Sequence, residues 1–207
     1  GEVTNANLIA TNYKADKKDL VFGIATPSAQ ALVNNISDIP VLFSAVTDPA
    51  SAKLLNPNVT GTSDKLDNVG EQLELLLKLK PEVKKIGVLY NPSEQNSVVQ
   101  VKEIQDRAKE KNLEVEVQGV TSLSEISQAT KILLEKTDAL YLPTDNTVVS
   151  AIKLITSEAN NAKKLVISSE KSSVEQGALF TIGLDYFELG KRTGEMAIEI
   201  LKGKPVS

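Results

Sequence analysis

The sequence predicts a doubly wound α/β fold with parallel strands. Short apolar runs rich in strand-forming residues alternate along the chain with amphipathic helical patterns. Most of the runs are continuously apolar, as expected for parallel strands covered by helices on both faces. The 207 residues, 41% hydrophobic and 24% charged, suit one large or two small domains with genuine cores.

Seven apolar runs carry the strand prediction. They are residues 20–25, 39–46, 85–90, 113–120, 139–143, 164–169 and 178–185. The polar stretch that precedes the first run, residues 1–19, shows no clear strand. We therefore interpret residue 1 as an arbitrary start, of a processed or truncated chain.

Helical patterns lie between these runs. They cover residues 70–81, 97–112, 122–136 and 187–204, and a further helical stretch follows residues 26–28. In the second pattern Val101, Ile104 and Ala108 fall on one face. The third pattern begins with Ser122 three residues before Glu125, which is typical of a capping box.

Residues 58–68 form the best candidate for an internal boundary. This segment is rich in Asn, Thr, Gly, Ser and Asp and lacks apolar periodicity. It separates two blocks that each restart with strands, so we interpret it as a crossover or hinge between two lobes. An ordinary surface loop explains its composition equally well.

The composition excludes several classes of function. The net charge is −4 and the basic residues are scattered, which argues against a nucleic-acid partner. The absence of His and Cys removes the common nucleophilic triads, thiol chemistry and the usual zinc sites. No calcium-loop or nucleotide-binding motif is present, and we expect neither cofactor nor metal. No apolar run approaches the length of a bilayer span, and no signal peptide is visible.

Polar residues follow the predicted strands in a recurring pattern. The candidates for ligand binding are Thr26, Ser28, Thr47, Asp48, Asn91, Ser93, Ser97, Thr144, Asp145, Asn146 and Asp185. The Thr-Asp pair occurs at 47–48 and again at 144–145, each time predicted to close a strand and open a helix. Helix capping explains any single one of these turns, because Ser, Thr, Asp and Asn are favoured caps.

Several such turns together favour a ligand site. In an open parallel sheet the strand-to-helix turns share one edge, where such folds bind ligands. Helix N-termini at that edge suit a carboxylate, and Asp48, Asp145 or Asp185 suits an ammonium group. Only Arg107 and Arg192 are arginines, so backbone N–H groups, hydroxyls or lysine are expected to bind the anion. The pattern indicates a zwitterion such as an amino acid.

Aromatic residues adjoin these turns. Tyr90, Tyr141, Tyr186 and Phe187 could stack on an aromatic or apolar ligand side chain. Packing of the tyrosines against the sheet is the alternative. Glu170, which follows another strand, is a further candidate, and a solvated loop charge is the alternative for it.

Six motifs in order resemble a known bacterial family. They are GIATPSAQAL, IPVLFSAVTDPASAKLL, NVTGTSD, IGVLYNPSEQNS, LYLPTDNTVVSA and GALFTIGLDYFELGKRTGEMA. The sequence resembles the ABC-transporter substrate-binding proteins, a family that includes tryptophan- and aromatic-amino-acid-binding members. The candidate residues named above match this family's turns position by position.

The resemblance implies a type I periplasmic-binding-protein fold with two Rossmann-like lobes that close over a small ligand. Lobe 1 would comprise residues 1–62 with 180–207, and lobe 2 residues 63–179. Turns 26–28 and 47–48 would then line one wall of a cleft and turns 91–97 and 144–147 the other. The resemblance also implies an exported monomer, a lipoprotein or a periplasmic protein, that delivers its ligand to an ABC permease.

The chain departs from the family pattern in three places. The first strand and helix usual in the family are not evident before residue 20. The stretch between Leu55 and Asn58 is short, and the chain stops soon after the last helix. We expect segments of the family's fold to be missing at these places.

Three hypotheses of function remain. The leading one is a solute-binding protein that captures an amino acid by closure of two lobes. The alternative is the ligand-sensing effector domain of a transcription regulator with the same fold. An enzyme using paired carboxylates such as Asp48 with Asp145 is disfavoured, because the chain has no His or Cys and the pair would need a close, fixed spacing.

Overall fold

The structure, a computed structural model, describes residues 3–65 and 67–206. Gly1, Glu2, Leu66 and Ser207 lie outside the described residues, including one position of the predicted boundary 58–68. The chain divides into unit 1, Gly1–Lys65 with Asp185–Ser207, and unit 2, Leu66–Leu184. The sequence-based boundaries after residues 62 and 179 lie a few residues earlier.

The described helices and strands alternate along the chain. In order they are α1 (Val3–Ala15), β1 (Val21–Ile24), α2 (Thr26–Asn35), β2 (Val41–Ser44), β3 (Val59–Gly61), α3 (Val69–Leu79), β4 (Lys85–Tyr90), α4 (Gln95–Glu110), β5 (Glu114–Gly119), α5 (Ile126–Lys136), β6 (Ala139–Leu142), α6 (Asn146–Ser150), α7 (Ile152–Asn161), β7 (Leu165–Ser168) and α8 (Tyr186–Leu201). Short 3₁₀ turns lie at Leu123–Glu125 and Lys171–Ser173.

Unit 1 contains a parallel sheet in the order β1-β2-β3. Val21 pairs with Val41, and Val41 pairs in turn with Val59. These residues and Phe43 form a core with apolar side chains of α2 and of the turns that follow β2. All three strands therefore end at the same edge of this sheet.

Unit 2 contains a parallel sheet in the order β5-β4-β6-β7. Leu140 on β6 belongs to a core formed with α5 and α7, whereas its neighbour Tyr141 belongs to a core formed with α3 and α4. Successive side chains thus enter cores on opposite faces, which is why these strands are continuously apolar. The predicted α/β class with parallel sheets is confirmed.

Strand β5 lies at one edge of the unit 2 sheet, and its side chains are half-buried or exposed. The carboxylate of Glu116 on this strand forms ion pairs with two lysines. Its oxygens lie 2.9 Å from Lys85 Nζ and 3.3 Å from Lys136 Nζ. Glu114 lies 4.0 Å from the same Lys85. The edge of the sheet is therefore charged.

Two expectations about regular structure were wrong. Helix α1 lies before residue 20, where the polar sequence had indicated no helix or strand. Its residue Ala10 is fully buried and packs in the core of unit 1. Residues 178–185 form no strand. Only two backbone bonds join this segment to β7, from Leu179 N to Val166 O and from Ser168 N to Phe180 O, and the rest is irregular.

Two local details also differ from the sequence-based expectation. Strand β3 lies inside the segment 58–68 that composition marked as a linker. At the start of the 122–136 pattern, the side chain of Ser122 makes no capping bond, and Glu125 accepts the backbone N–H of Thr121 at 2.6 Å. Within the described residues, no helix is both long enough and apolar enough to cross a membrane.

Gly61 permits the close pairing of β3 with β2. A Cβ atom at this position would lie 2.0 Å from the carbonyl oxygen of Phe43, a backbone atom that cannot move aside. We expect Gly61→Ala to lower the free energy of unfolding by about 1–3 kcal/mol through overpacking. Denaturant unfolding measures this change.

The matched control is Gly194→Ala. A Cβ atom there meets nothing within 4 Å, and the position lies inside α8. This variant should gain about 0.5–1 kcal/mol from the better helix propensity of Ala. Equal stability of the two variants would contradict the steric account.

Candidate functional site

The carboxylate of Asp145 joins two strand-end turns of unit 2. Asp145 is 1% exposed and is the N-cap of α6, where its Oδ1 accepts the backbone N–H of Val148 at 2.8 Å. Its Oδ2 accepts the backbone N–H of Asn91 at 2.6 Å and the hydroxyl of Ser97 at 2.5 Å. One side chain thus fixes the turn after β6 against the turn after β4.

Glu94 makes a second connection between the same turns. This buried carboxylate accepts the backbone N–H and the hydroxyl of Thr147 on Oε1, at 3.0 Å and 2.7 Å. Its Oε2 accepts the backbone N–H and the side-chain amide of Asn146, at 2.9 Å and 2.7 Å. Glu94 therefore satisfies N–H groups at the start of α6 from a neighbouring turn.

The two carboxyls have opposite pKa shifts. Burial would raise the pKa of Glu94, but hydrogen bonds from Asn146, Thr147 and Asn96 outweigh it and hold that pKa below its usual range. Burial raises the pKa of Asp145, and the nearby negative charge of Glu94 raises it further. Glu94 is therefore the more strongly ionised of the pair.

Amide side chains complete the polar edge of unit 2. Asn96 donates to the carbonyl of Thr144 at 2.8 Å, and Gln100 accepts the backbone N–H of Thr144. Asn91 donates to Thr147 Oγ1 at 3.0 Å and accepts the backbone N–H of Ser93 at 2.9 Å. The structure thus brings together six candidates of unit 2, with Ser93 and Asn146 exposed: Asn91, Ser93, Ser97, Thr144, Asp145 and Asn146.

Unit 1 gathers a different group at its strand ends. The hydroxyl of Thr47, after β2, donates to Asp64 Oδ1 at 2.9 Å, and the hydroxyl of Tyr186 on α8 donates to Asp64 Oδ2 at 3.2 Å. Asp64 itself follows β3 and is half-buried. Burial raises the pKa of the Asp64 carboxyl above its usual value, and the two hydroxyls offset only part of this effect.

Asp48 holds a turn and does not begin a helix. Residues 49–53 form hydrogen-bonded turns where the sequence predicted a helix. Asp48 accepts the backbone N–H of Ser51 at 3.0 Å and its hydroxyl at 2.9 Å, and the N–H bond is the main reason why its pKa is lowered. The Thr-Asp pair at 144–145 does open a helix, α6.

The remaining candidates of unit 1 lie at two helix starts. Thr26 and Ser28 occupy the first turn of α2, with Thr26 buried and Ser28 exposed. The preceding Ala25 has φ 64° and ψ 162°, a conformation that non-glycine residues rarely adopt. Asp185 is exposed and caps α8 by accepting the backbone N–H of Phe187 at 2.9 Å.

Helix α8 is anchored to the sheet by hydroxyl groups. Thr193, the fully buried residue of this helix, lies 2.7 Å from Thr62 Oγ1 and donates to Ser44 Oγ at 3.1 Å. These two partners stand at the ends of β3 and β2. The anchor fixes α8 next to the strand ends, so that Tyr186 reaches Asp64.

The sequence prediction omitted two carboxylates that the structure places at these edges, Glu94 and Asp64. Glu94 lies inside the recurring turn pattern, and its burial was the missing information. Asp64 follows a strand of three residues that composition hid in a predicted linker. Of the aromatic candidates, Tyr141 is fully buried with its hydroxyl 3.1 Å from Ser169 Oγ, whereas Phe187 is exposed.

Both edges offer carboxylates, hydroxyls, amides and backbone N–H groups. Such groups recognise the charged and polar parts of a small molecule. Among residues 3–65 and 67–206, no group of three or more acidic, His or Cys side chains could hold a metal ion. The arrangement therefore suits recognition of a polar ligand.

Asp145→Ala should destabilise the fold. The substitution leaves the N–H groups of Asn91 and Val148 and the Ser97 hydroxyl without their acceptor in a buried site. We expect a loss of roughly 3 kcal/mol in the free energy of unfolding, since buried unpaired donors cost about 1–3 kcal/mol each and partly relax. Asp106→Ala, which removes an exposed carboxylate paired with Lys102, is the control and should cost less than about 0.5 kcal/mol.

The carboxyl pair predicts a pH response of defined sign. The lowered pKa of Glu94 means that its contribution to stability is lost as the pH falls through that value, whereas the raised pKa of Asp145 makes its ionisation costly as the pH rises. Carbon-13 NMR titration should find Asp145 titrating above Glu94. Glu94→Gln should lower the pKa of Asp145 because it removes a neighbouring charge. An unchanged Asp145 titration in this variant, with exposed Glu82→Gln as control, would contradict the coupling.

Comparison with known proteins places this geometry in a family. The chain matches, over residues 1–207, the family described as ABC transporter substrate binding protein. It is 48% identical over 204 residues to the tyrosine-binding protein of Clostridioides difficile (strain R20291), covering 96% of this chain and 59% of that relative.

Solved structures agree with this match. The ABC domain from Streptococcus pneumoniae in complex with L-Trp is 37% identical with a TM-score of 0.95, covering 100% of this chain and 72% of that one. A ligand-free, open substrate binding protein from Clostridium difficile is 43% identical with a TM-score of 0.66, covering 99% and 71%.

A more distant structure, the leucine binding protein LivK of Thermotoga maritima, has a TM-score of 0.65 at 16% identity, which shows the shared fold alone. The chain spans about three fifths of the length of the curated relatives it matches. The fold is that of the type I periplasmic binding proteins. From the family match over its whole length and the 37% and 48% identities, this chain belongs to the family of ABC transporter substrate-binding proteins.

Proposed function

We propose that this chain binds an amino acid with an aromatic side chain, as the ligand-binding part of the substrate-binding protein of an ABC importer. The observation that carries the proposal is the 48% identity, across nearly the whole chain, to a protein named for tyrosine binding. The neighbour that contains L-Trp supports the same class of ligand.

The chemistry of the strand ends supports a zwitterionic ligand. Carboxylates such as Asp64 and Asp48 lie at the strand ends of unit 1 together with the hydroxyl of Thr47. A carboxylate suits an ammonium group, and hydroxyl or backbone N–H groups suit a ligand carboxylate. Because only two of the 23 basic residues are arginines, backbone N–H groups, hydroxyls or lysine bind the anionic part of the ligand.

The site residues stay a prediction. We propose ligand contacts from the eleven candidates Thr26, Ser28, Thr47, Asp48, Asn91, Ser93, Ser97, Thr144, Asp145, Asn146 and Asp185. The burial of Asp145 and its three protein donors favour a role in holding the turns over a direct contact of its carboxylate with ligand. Closure of two lobes over the ligand likewise stays a prediction.

The wider role follows from the family. We propose an extracytoplasmic monomer, anchored as a lipoprotein or free in the periplasm, that delivers its ligand to an ABC permease. It binds no nucleic acid and catalyses no reaction. Export and anchoring are tested on the full-length protein by cell fractionation and by labelling with a radioactive fatty acid.

The regulator alternative has less support. Effector domains of transcription regulators share this fold, but three relatives at 37–48% identity are a protein named for tyrosine binding, an ABC domain in complex with L-Trp and a substrate binding protein. A regulator would also present a DNA-binding segment in the full-length protein. Binding of operator DNA by that protein would revive this alternative.

Ligand binding is tested by a thermal-shift screen of the twenty amino acids followed by calorimetry. L-tyrosine and L-tryptophan should raise the unfolding midpoint most, because a ligand that binds only the folded state stabilises it by about 2.7 kcal/mol at one hundred times Kd. Small-angle scattering with and without the ligand tests closure. A flat response to all twenty amino acids would overturn the proposed ligand class.

A further inference from the structure

The three aspartates that the sequence nominated for the ammonium group all hold backbone N–H groups in this structure. Asp145 caps α6, Asp185 caps α8, and Asp48 holds the N–H of Ser51. These backbone donors already occupy oxygens of the three carboxylates, although burial still raises the pKa of Asp145. A ligand would have to share or replace those bonds.

Asp64 lies in a different environment. Among the residues that the structure describes, Thr47 and Tyr186 donate hydrogen bonds to Asp64, each through its hydroxyl, with a smaller interaction from the backbone N–H of Asp64 itself. Within the part of the chain that the structure describes, no lysine or arginine forms an ion pair with this carboxylate. Asp64 is half-buried, so it is partly desolvated and still reachable.

A partly desolvated carboxylate without a cation is costly to the free protein. Removing a charge from water is unfavourable unless an opposite charge or several donors replace the water. The two hydroxyls supply one donor each, and each carboxylate oxygen can accept a further bond. A cationic group of a bound ligand would offset the desolvation cost of the Asp64 carboxylate that the protein's own groups leave uncompensated.

The position of Asp64 also suits a ligand. It follows the end of β3, and Thr47 follows the end of β2, at the sheet edge where open parallel folds bind small molecules. Tyr186 reaches the same carboxylate from α8, which the hydroxyl of Thr193 anchors to the sheet. Three separate segments of unit 1 therefore converge on one carboxylate.

We propose that the carboxylate of Asp64 binds the ammonium group of the amino-acid ligand, while Thr47 and Tyr186 orient it. This inference rests on the proposed function. It assigns recognition of the α-amino group to a residue outside the turns that the sequence singled out, and it makes the amino group a requirement for tight binding.

The test compares ligands with and without the amino group. The probes are L-tyrosine with 3-(4-hydroxyphenyl)propionate and L-tryptophan with 3-indolepropionate, each measured by calorimetry. The wild-type protein should bind the amino acid about 100-fold more tightly than its des-amino partner, as expected for losing one side of a desolvated charge pair. Asp64→Asn should reduce this preference to within about threefold, because the coupling between group and residue is then lost.

A structural role for Asp64 predicts another result. In that case Asp64→Asn would weaken binding of the amino acid and of its des-amino analogue equally. It would also lower the unfolding midpoint of the ligand-free protein. On our proposal the ligand-free midpoint of Asp64→Asn stays unchanged or rises, because the variant removes a poorly solvated charge. The control is Asp38→Asn, an exposed aspartate just before β2, which should leave both affinities within about twofold.

A second measurement tests the role of Asp64 in the wild-type protein, without any substitution. Carbon-13 NMR should show the pKa of Asp64 falling when the amino acid binds and staying unchanged or rising with the des-amino analogue. A preference retained in Asp64→Asn, or an Asp64 titration that the amino acid does not move, overturns the inference and leaves the proposed function intact. Failure of the wild-type protein to bind any amino acid overturns both.

Discussion

The polar edge of unit 2 depends on one interaction, the three-donor hydrogen bonding of the Asp145 carboxylate. One oxygen begins α6, and the other holds the backbone of Asn91 and the hydroxyl of Ser97. Because α6 has five residues, it gains little stability from its own length, and its start is set by this cap and by Glu94. The conformation of this edge is therefore held by two buried carboxylates, Asp145 and Glu94, that accept hydrogen bonds from the protein.

Unit 1 is organised by a different rule. Its strand ends are joined by hydroxyls, with Thr193 connecting Ser44 and Thr62, and with Thr47 and Tyr186 meeting at Asp64. Hydroxyls rotate and can exchange partners, whereas backbone N–H groups cannot. A carboxylate held by hydroxyls can adapt to a ligand, and one held by backbone groups keeps its turn in place. Aspartate carboxylates in this chain thus have different donors, which include two backbone N–H groups at Asp145 and are two hydroxyls among the other described residues at Asp64.

Most of the fold could be predicted because apolar periodicity reports burial on both faces of a parallel sheet. The pattern failed where burial was slight or local: α1 has no distinct apolar face and leaves Leu8 and Ile9 exposed, and β3 has only three residues. It failed in the other direction at 178–185, whose apolar residues pack without a regular ladder. For the site, the turns were predictable, but composition cannot tell a capping aspartate such as Asp145 from Asp64, whose donors among the other described residues are hydroxyls.

The charged edge strand β5 has a consequence for behaviour at high concentration. An exposed strand edge is a template on which a strand of another copy can add, and this is how many sheet proteins begin to aggregate. Here an added strand would have to pack against Glu114 and Glu116, with Lys85 and Lys136 beside them. Charged side chains on an edge strand disfavour such pairing. The charges on strand β5 therefore disfavour cross-β assembly at that edge of the sheet.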